Sequence, residues 1–366
     1  MTEGAPFRAD QVGSLLRPAR LKTARADLEN GKTDTEALKP IEDACIREVV
    51  ARQEAAGLQA VTDGEFRRAW WHFDYLDGLE GVELVKSEHG IQFRGVQTKP
   101  GTIAVTGRVG FDGHYMLDHF RFLHGITNVT PKMTVPAPSV LHFRGGRVSI
   151  SKQVYPGLDE FFADTAEAYR RAVQAFYAAG CRYLQFDDTV WAYLCSAKER
   201  QAARDRGDDP EPLPRIYADM INHALKDKPA DMVVTTHVCR GNFRSSWIAE
   251  GGYEPVAEIL LGETAYDGYF LEYDTDRAGG FEPLRFLPRG DKRVVLGLVT
   301  SKSGDLEETD AIRRRIDEAT RFADLDQFCL SPQCGFASTE EGNILTEDQQ
   351  WEKLEMIVEL AREVWG

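Results

Sequence analysis

The sequence is short of basic residues: 44 Lys and Arg stand against 59 Asp and Glu, a net charge of −15. Nucleic acids and anionic membranes are bound mainly through Lys and Arg, so neither is expected as a principal partner. Long apolar runs are missing too. Stretches such as VVLGLV (294–299) fall far short of the roughly 18 residues needed to span a bilayer. The opening MTEGAPFRAD has neither a basic n-region nor an apolar h-region, so no signal peptide is expected. Cysteine is sparse for a disulfide framework: six residues, Cys45, Cys181, Cys195, Cys239, Cys329 and Cys334, are scattered along the chain. That pattern fits a reduced, cytoplasmic setting. Repeats of about 20–50 residues and low-complexity tracts are also absent.

What remains is an ordinary globular composition, 42% hydrophobic and 28% charged over 366 residues. The length exceeds a typical domain of about 150 residues but suits one barrel of about 250 with insertions. Short β-rich runs alternate with amphipathic segments. The predicted strands are QVGSLL (11–16), AVTDG (60–64), KMTVPAPS (132–139), YLQFDD (183–188), MVVTTHVC (232–239), GYFLEYD (268–274), RVVLGLVTS (293–301) and QFCLSPQC (327–334). Several are continuously apolar before a polar end, as parallel strands buried on both faces are. Between them, Phe162, Ala166, Tyr169, Val173 and Phe176 recur at helical spacing before a stop at Gly180. Thr346 and Gln349 form a capping-box signature ahead of an apolar face made by Trp351, Leu354, Ile357, Val358, Ala361 and Trp365.

Eight strands alternating with helices predict a TIM (β/α)8 barrel, a single catalytic domain over 1–366. Residues of about 80–130 break the alternation and are expected as a β-rich insertion after the second strand. The segment 198–214 reads as an exposed, partly helical loop.

Active sites of such barrels sit at the C-terminal strand ends. Those ends carry Gly13, Ser14, Asp63, Gly64, Glu65, Pro136, Ser139, Asp187, Asp188, His237, Cys239, Glu272, Thr300 and Cys334. His237 and Cys239, at i and i+2, share one side of a strand and can reach one ion. With Cys334 they offer one nitrogen and two sulfurs to a tetrahedral Zn²⁺, with Glu272 or a substrate atom fourth. A lone HxC pair can also arise by chance, and a buried Cys is often plain packing. Glu65 can equally be a structural ion pair with Arg67 or Arg68. The aromatic stretch RRAWWHFDY (67–75) reads either as packing for the insertion or as a platform for a flat ligand.

Taken together, QVGSLLRP, VTDGEFRR, LQFDD, THVC, FLEYD and SPQCG resemble the catalytic barrel of cobalamin-independent methionine synthases, over nearly the whole chain. The resemblance implies a zinc-dependent methyltransferase that methylates the thiol of homocysteine. It implies His237, Cys239, Glu272 and Cys334 as zinc ligands, and Gly13, Ser14, Glu65 and Asp187 at the amino-acid acceptor, with Glu65 and Asp187 gripping its α-ammonium group. The family's strand-three tryptophan has no counterpart; His142 and Phe143 stand there. Its strand-seven histidine is replaced by Val299 or Thr300. The methyl donor is therefore open among folate, methylcobalamin and other donors, as is association into a homo-oligomer. Two alternatives remain: alkyl transfer to another thiol, as in epoxyalkane–coenzyme M transferases, and a non-catalytic barrel with a structural zinc.

Overall fold

The computed structural model describes residues 4–86, 90–98 and 101–366. Seven parallel strands form one curled sheet in sequential order: β1 (Ala60–Val61), β2 (Thr130–Pro136), β3 (Tyr183–Asp187), β4 (Val233–Val238), β5 (Gly268–Glu272), β6 (Arg293–Val299) and β7 (Phe328–Pro332). All residues of β3, β5, β6 and β7 are buried, because helices cover one face and the barrel interior the other.

The eighth stave is irregular. Residues 11–16, expected as a strand, form no ladder; a single parallel bridge joins Ala9 to Leu330. The segment still closes the barrel. The Asp10 N–H donates to Leu330 O (3.0 Å) on one side, and the Leu15 N–H to Gly64 O (3.1 Å) on the other. Gly13 explains the lost regularity, because a Cβ there would lie 2.7 Å from Thr134 Cγ2 and 3.2 Å from Glu65 Oε1. The backbone approaches its neighbours closely there, and a glycine inside a strand weakens the ladder. Side chains take over the closure: Lys132 Nζ, fully buried in β2, donates to Gln11 O (2.6 Å) and pairs with Asp10 (3.2 Å).

The helices follow the periodicity. Asp159–Ala178 buries Ala166, Tyr169, Val173 and Phe176, though Phe161 takes the buried place expected for Phe162. The capping box of Thr346 and Gln349 is formed, and Glu347–Trp365 buries Trp351, Leu354, Ile357, Val358 and Ala361. The 198–214 segment is partly helical as expected, with Ala197–Asp205 helical and Leu213 already opening the next helix.

The insertion is shorter than expected. Glu80–Val85 pairs antiparallel with Thr102–Gly110, and Gln92–Phe93 with Val96–Gln97. Met116–His124 is again a helix packed on the barrel core, its buried face made by Met116, Phe120 and Leu123. The hairpin leans over the strand ends: Phe93 meets Phe243 with ring centroids 5.4 Å apart. Among the described residues, no helix is long and apolar enough to cross a membrane.

Candidate metal centre and acceptor pocket

The parallel register brings the polar strand ends into one ring. His237, next to last in β4, lies beside Asp187 of β3, and Glu272 ends β5 beside Gly297 of β6. Cys239 and Cys334 follow β4 and β7. One ligand atom each from His237, Cys239, Glu272 and Cys334 lies within 4.8 Å of all the others, and all four residues are buried. The two sulfurs are 3.5 Å apart. A tetrahedral ion with bonds of about 2.0–2.3 Å needs donor separations of about 3.3–3.8 Å, so small side-chain shifts suffice.

Hydrogen bonding within this cluster is incomplete. Both ring nitrogens of His237 are buried without a hydrogen-bond partner, a costly state that coordination would relieve. The contact with Cys239 holds the Cys334 thiol well below its usual range, and the same contact together with burial pushes Cys239 well up. Burial pulls the His237 imidazole down, but Cys334, Asp187 and Glu272 outweigh it and raise it. Two sulfurs and an imidazole so arranged are a ready donor set for a borderline cation. Glu272 is the donor with a cationic neighbour: its Oε1 accepts the Arg240 backbone N–H (2.8 Å) and its Oε2 faces Arg277 at 3.5 Å. It has partners to hold it away from an ion.

Glu65 and Asp187 line the same pocket, with Ser14, His237, Cys239 and Cys334. Glu65 sits at φ +62°, an uncommon conformation for a side-chain-bearing residue, behind Gly64 at φ +67°. The turn is fixed by the Glu65 N–H donating to Asp63 Oδ1 at 2.9 Å. Thr134 Oγ1 donates to Glu65 Oε1 (2.8 Å), while Oε2 is buried without a partner. The expected ion pair is present in loose form with Arg68, at 3.7 Å; Arg67 instead pairs with Glu42 and Asp43. Asp187 Oδ1 accepts from Gln185 Nε2 at 2.7 Å. Burial chiefly, with Glu65 adding, pushes the Asp187 carboxyl up to about 7, and burial likewise raises Glu65. Two buried carboxyls with spare acceptor capacity suit a cationic ligand group.

Ser14 is held against the loop after β7, where Phe336 N–H donates to its carbonyl (2.9 Å) and a Cβ on Gly335 would lie 2.0 Å from its Oγ. Gly13 shapes the floor by its close approach and is not among the pocket-lining residues. Thr300 hydrogen-bonds through its N–H to Glu307 and is absent from the pocket lining. Asp188 serves the scaffold, accepting from Ser139 (2.8 Å). Trp70 and Trp71 line the pocket, and Phe73 is buried in the core and also lines the adjoining cavity. His72, Arg144 and Lys302 went unmarked in the sequence. His72 and Arg144 line the pocket, and the Lys302 ammonium moderates the charge on Glu272 and Cys334. A histidine inside an aromatic run and isolated cations give no sequence signal.

Fold and site together define a parallel α/β barrel with a soft-donor cluster and two carboxyls at its C-terminal mouth. The chain belongs to the family of cobalamin-independent synthase catalytic domains, whose model matches residues 7–363. It is 53% identical over 362 residues to the uncharacterized protein YxjH of Bacillus subtilis, covering 99% of this chain and 95% of that one. The crystal structure of a putative vitamin-B12-independent methionine synthase from Listeria monocytogenes superposes with a TM-score of 0.81 at 42% identity, covering 99% of each chain. A more distant relative is the 5-methyltetrahydropteroyltriglutamate–homocysteine methyltransferase of Lactiplantibacillus plantarum, 22% identical over 91% of this chain but only 40% of its own length.

Proposed function

We propose that the protein is a zinc-dependent methyltransferase that methylates the thiol of homocysteine. The observation that carries this reading is the convergence of four buried donors, His237, Cys239, Glu272 and Cys334, beside two carboxyls with spare acceptor capacity. Family membership and the activity for which the Lactiplantibacillus plantarum relative is named support it.

The donor set of one imidazole, two sulfurs and a carboxylate fits Zn²⁺. Bound there, the ion would favour the deprotonated form of an acceptor thiol whose ordinary pKa is about 8.5. The chain's own residues do the rest. Glu65 and Asp187 hold the α-ammonium group, which fixes the amino acid with its side chain toward the sulfur donors. Ser14 and nearby backbone N–H groups receive the carboxylate. The Arg240 backbone N–H and Arg277 hold the Glu272 carboxylate from the side away from the sulfurs, so it would be the most readily exchanged of the four donors. Trp70 and Trp71 shield the pocket mouth from water. Paired carboxyls favour an ammonium-bearing thiol over a sulfonate such as coenzyme M, which would ask for cations at that end.

The test is direct: purified protein with homocysteine, screened against folate, methylcobalamin and methoxy- or methylthio-type donors, with methionine as the readout. Methionine from none of these donors would overturn the reading.

A further inference from the structure

Arg17, in the QVGSLLRP run, is buried and forms no ion pair among the described residues. Its guanidinium instead donates to four main-chain carbonyls. Nη2 reaches Glu65 O and Arg68 O, both at 2.9 Å, and Nη1 reaches Ala337 O (3.2 Å) and Thr339 O (3.1 Å). Two of these carbonyls belong to the turn after β1 and two to the loop that follows Cys334. The same segments also bond directly, with Trp71 N–H donating to Ser338 O (3.0 Å) and Glu340 N–H to Ala69 O (2.9 Å). Arg17 thus knots three stretches together: the closing stave, the turn that bears Glu65 and the loop that bears Cys334. Burial pulls its guanidinium down to about 10, with Glu65 opposing, so it stays charged near neutral pH. Four carbonyl oxygens converging on one buried point are costly without donors, and only a planar fork of five N–H groups meets them all. Glu65, at φ +62°, holds a conformation that persists only where its surroundings fix it. Asp63 fixes its N–H, and Arg17 together with the Arg68 N–H (3.0 Å) fixes its carbonyl.

We propose that Arg17 is a positioning residue for the acceptor: by clipping the turn of Glu65 to the loop of Cys334, it sets the span between the carboxyl that takes the ammonium group and the sulfur donors that mark the thiol's place. The inference rests on the homocysteine reading and adds to it a residue that is absent from the pocket lining. Arg17 donates only to main chain, so it acts through Glu65. The Glu65 side chain is already steered on one side, where Thr134 donates to Oε1, which leaves Oε2 for the ligand. Slackening the clip lets the Glu65 backbone relax toward an ordinary conformation and swings that oxygen off the ammonium position. The sulfur donors have their own anchors at the ends of β4 and β7. A ligand that carries the amine therefore loses affinity, and one that lacks it does not.

Calorimetric titration of the zinc-loaded full-length protein with homocysteine and with 4-mercaptobutanoate, the same thiol acid without the amine, reads this directly. Wild type should bind homocysteine about tenfold or more tighter than the analogue. In Arg17→Met that preference should fall to about twofold or less, while zinc content and 4-mercaptobutanoate affinity stay near wild type. Arg17→Lys, which keeps the charge but not the fork, should fall between the two. If Arg17→Met does not fold, judged by circular dichroism, Arg17→Lys decides: a preference reduced about threefold or more supports the proposal, and an unchanged one overturns it. The proposal also falls if folded Arg17→Met keeps the wild-type preference. Equal loss of both ligands, or loss of zinc, overturns it too, because that is general damage and not a displaced Glu65. If neither variant folds, Arg17 serves the fold alone and the proposal is wrong. Equal binding of the two ligands by wild type would instead sink the homocysteine reading, and this proposal with it.

Discussion

Cys239 and Cys334, 95 residues apart in the chain, place their sulfurs 3.5 Å from each other at the mouth of the barrel. Both are buried, and each follows a strand and places its sulfur within 4.8 Å of a ring nitrogen of His237. We expect protein purified without chelator to carry about one zinc per chain by elemental analysis. Cys239→Ser or Cys334→Ser should lose both the metal and activity. Full activity in metal-free protein would refute the assignment.

Glu272 is expected to behave differently from the thiolates. It is the harder ligand, and Arg240 and Arg277 already hold its carboxylate from outside. Glu272→Gln should keep most of the zinc but alter thiol access. X-ray absorption at the zinc edge should count two sulfur neighbours at about 2.3 Å without homocysteine and three with it. A count that stays at two under saturating homocysteine would point to a structural ion.

For Glu65 and Asp187 the expected loss is in acceptor affinity. Glu65→Gln or Asp187→Asn removes a charge facing the α-ammonium group and should weaken homocysteine binding by about tenfold or more, with zinc content unchanged. If zinc is lost in either variant, these carboxyls belong to the metal and not to the acceptor.

The Asp187 carboxyl also sets a pH dependence. Its pKa is pushed up to about 7, so the carboxylate is mostly ionised at about pH 8 and mostly protonated at about pH 6. An ammonium ligand pairs with the ionised form, and affinity should fall as pH drops through about 7. Methionine is the suitable probe, because it has no thiol proton to release. Its binding measured across this range should lose the acid limb in Asp187→Asn; a limb that persists assigns the titration elsewhere.

Barrel closure gives a stability test. Lys132→Met leaves Asp10 buried without its cation, and breaking such a pair costs about 3–5 kcal/mol. Denaturant unfolding should show that loss. A change under about 1 kcal/mol would mean the closing stave draws its stability from backbone contacts alone.

The fold was legible because buried parallel strands announce themselves as continuous apolar runs, and the terminal helix carried its own cap in Thr346 and Gln349. The first strand misled, since an apolar run around Gly13 looks like a ladder but cannot keep one against Thr134 and Glu65. The insertion was overdrawn because glycine-punctuated sequence hid the helix Met116–His124, whose apolar face shows only against the core. The four candidate ligands could be named from strand-end position and residue type. Arg144 and His72 could not, because no local pattern tells an unpaired cation or imidazole from a paired one.

By itself the sequence determined the alternation of strands and helices, the sign of the net charge, and which residue types stand at each strand end. Those are local properties, set by side-chain period and composition over a few residues. Tertiary structure alone decided that ligand atoms of His237, Cys239, Glu272 and Cys334 fall within 4.8 Å of one another, that Glu65 keeps one oxygen without a hydrogen-bond partner, and that a cationic cavity adjoins them. Distance and hydrogen-bond satisfaction are sums over every element that packs around a group, and the parallel register of separate strands fixes them only once the barrel has closed.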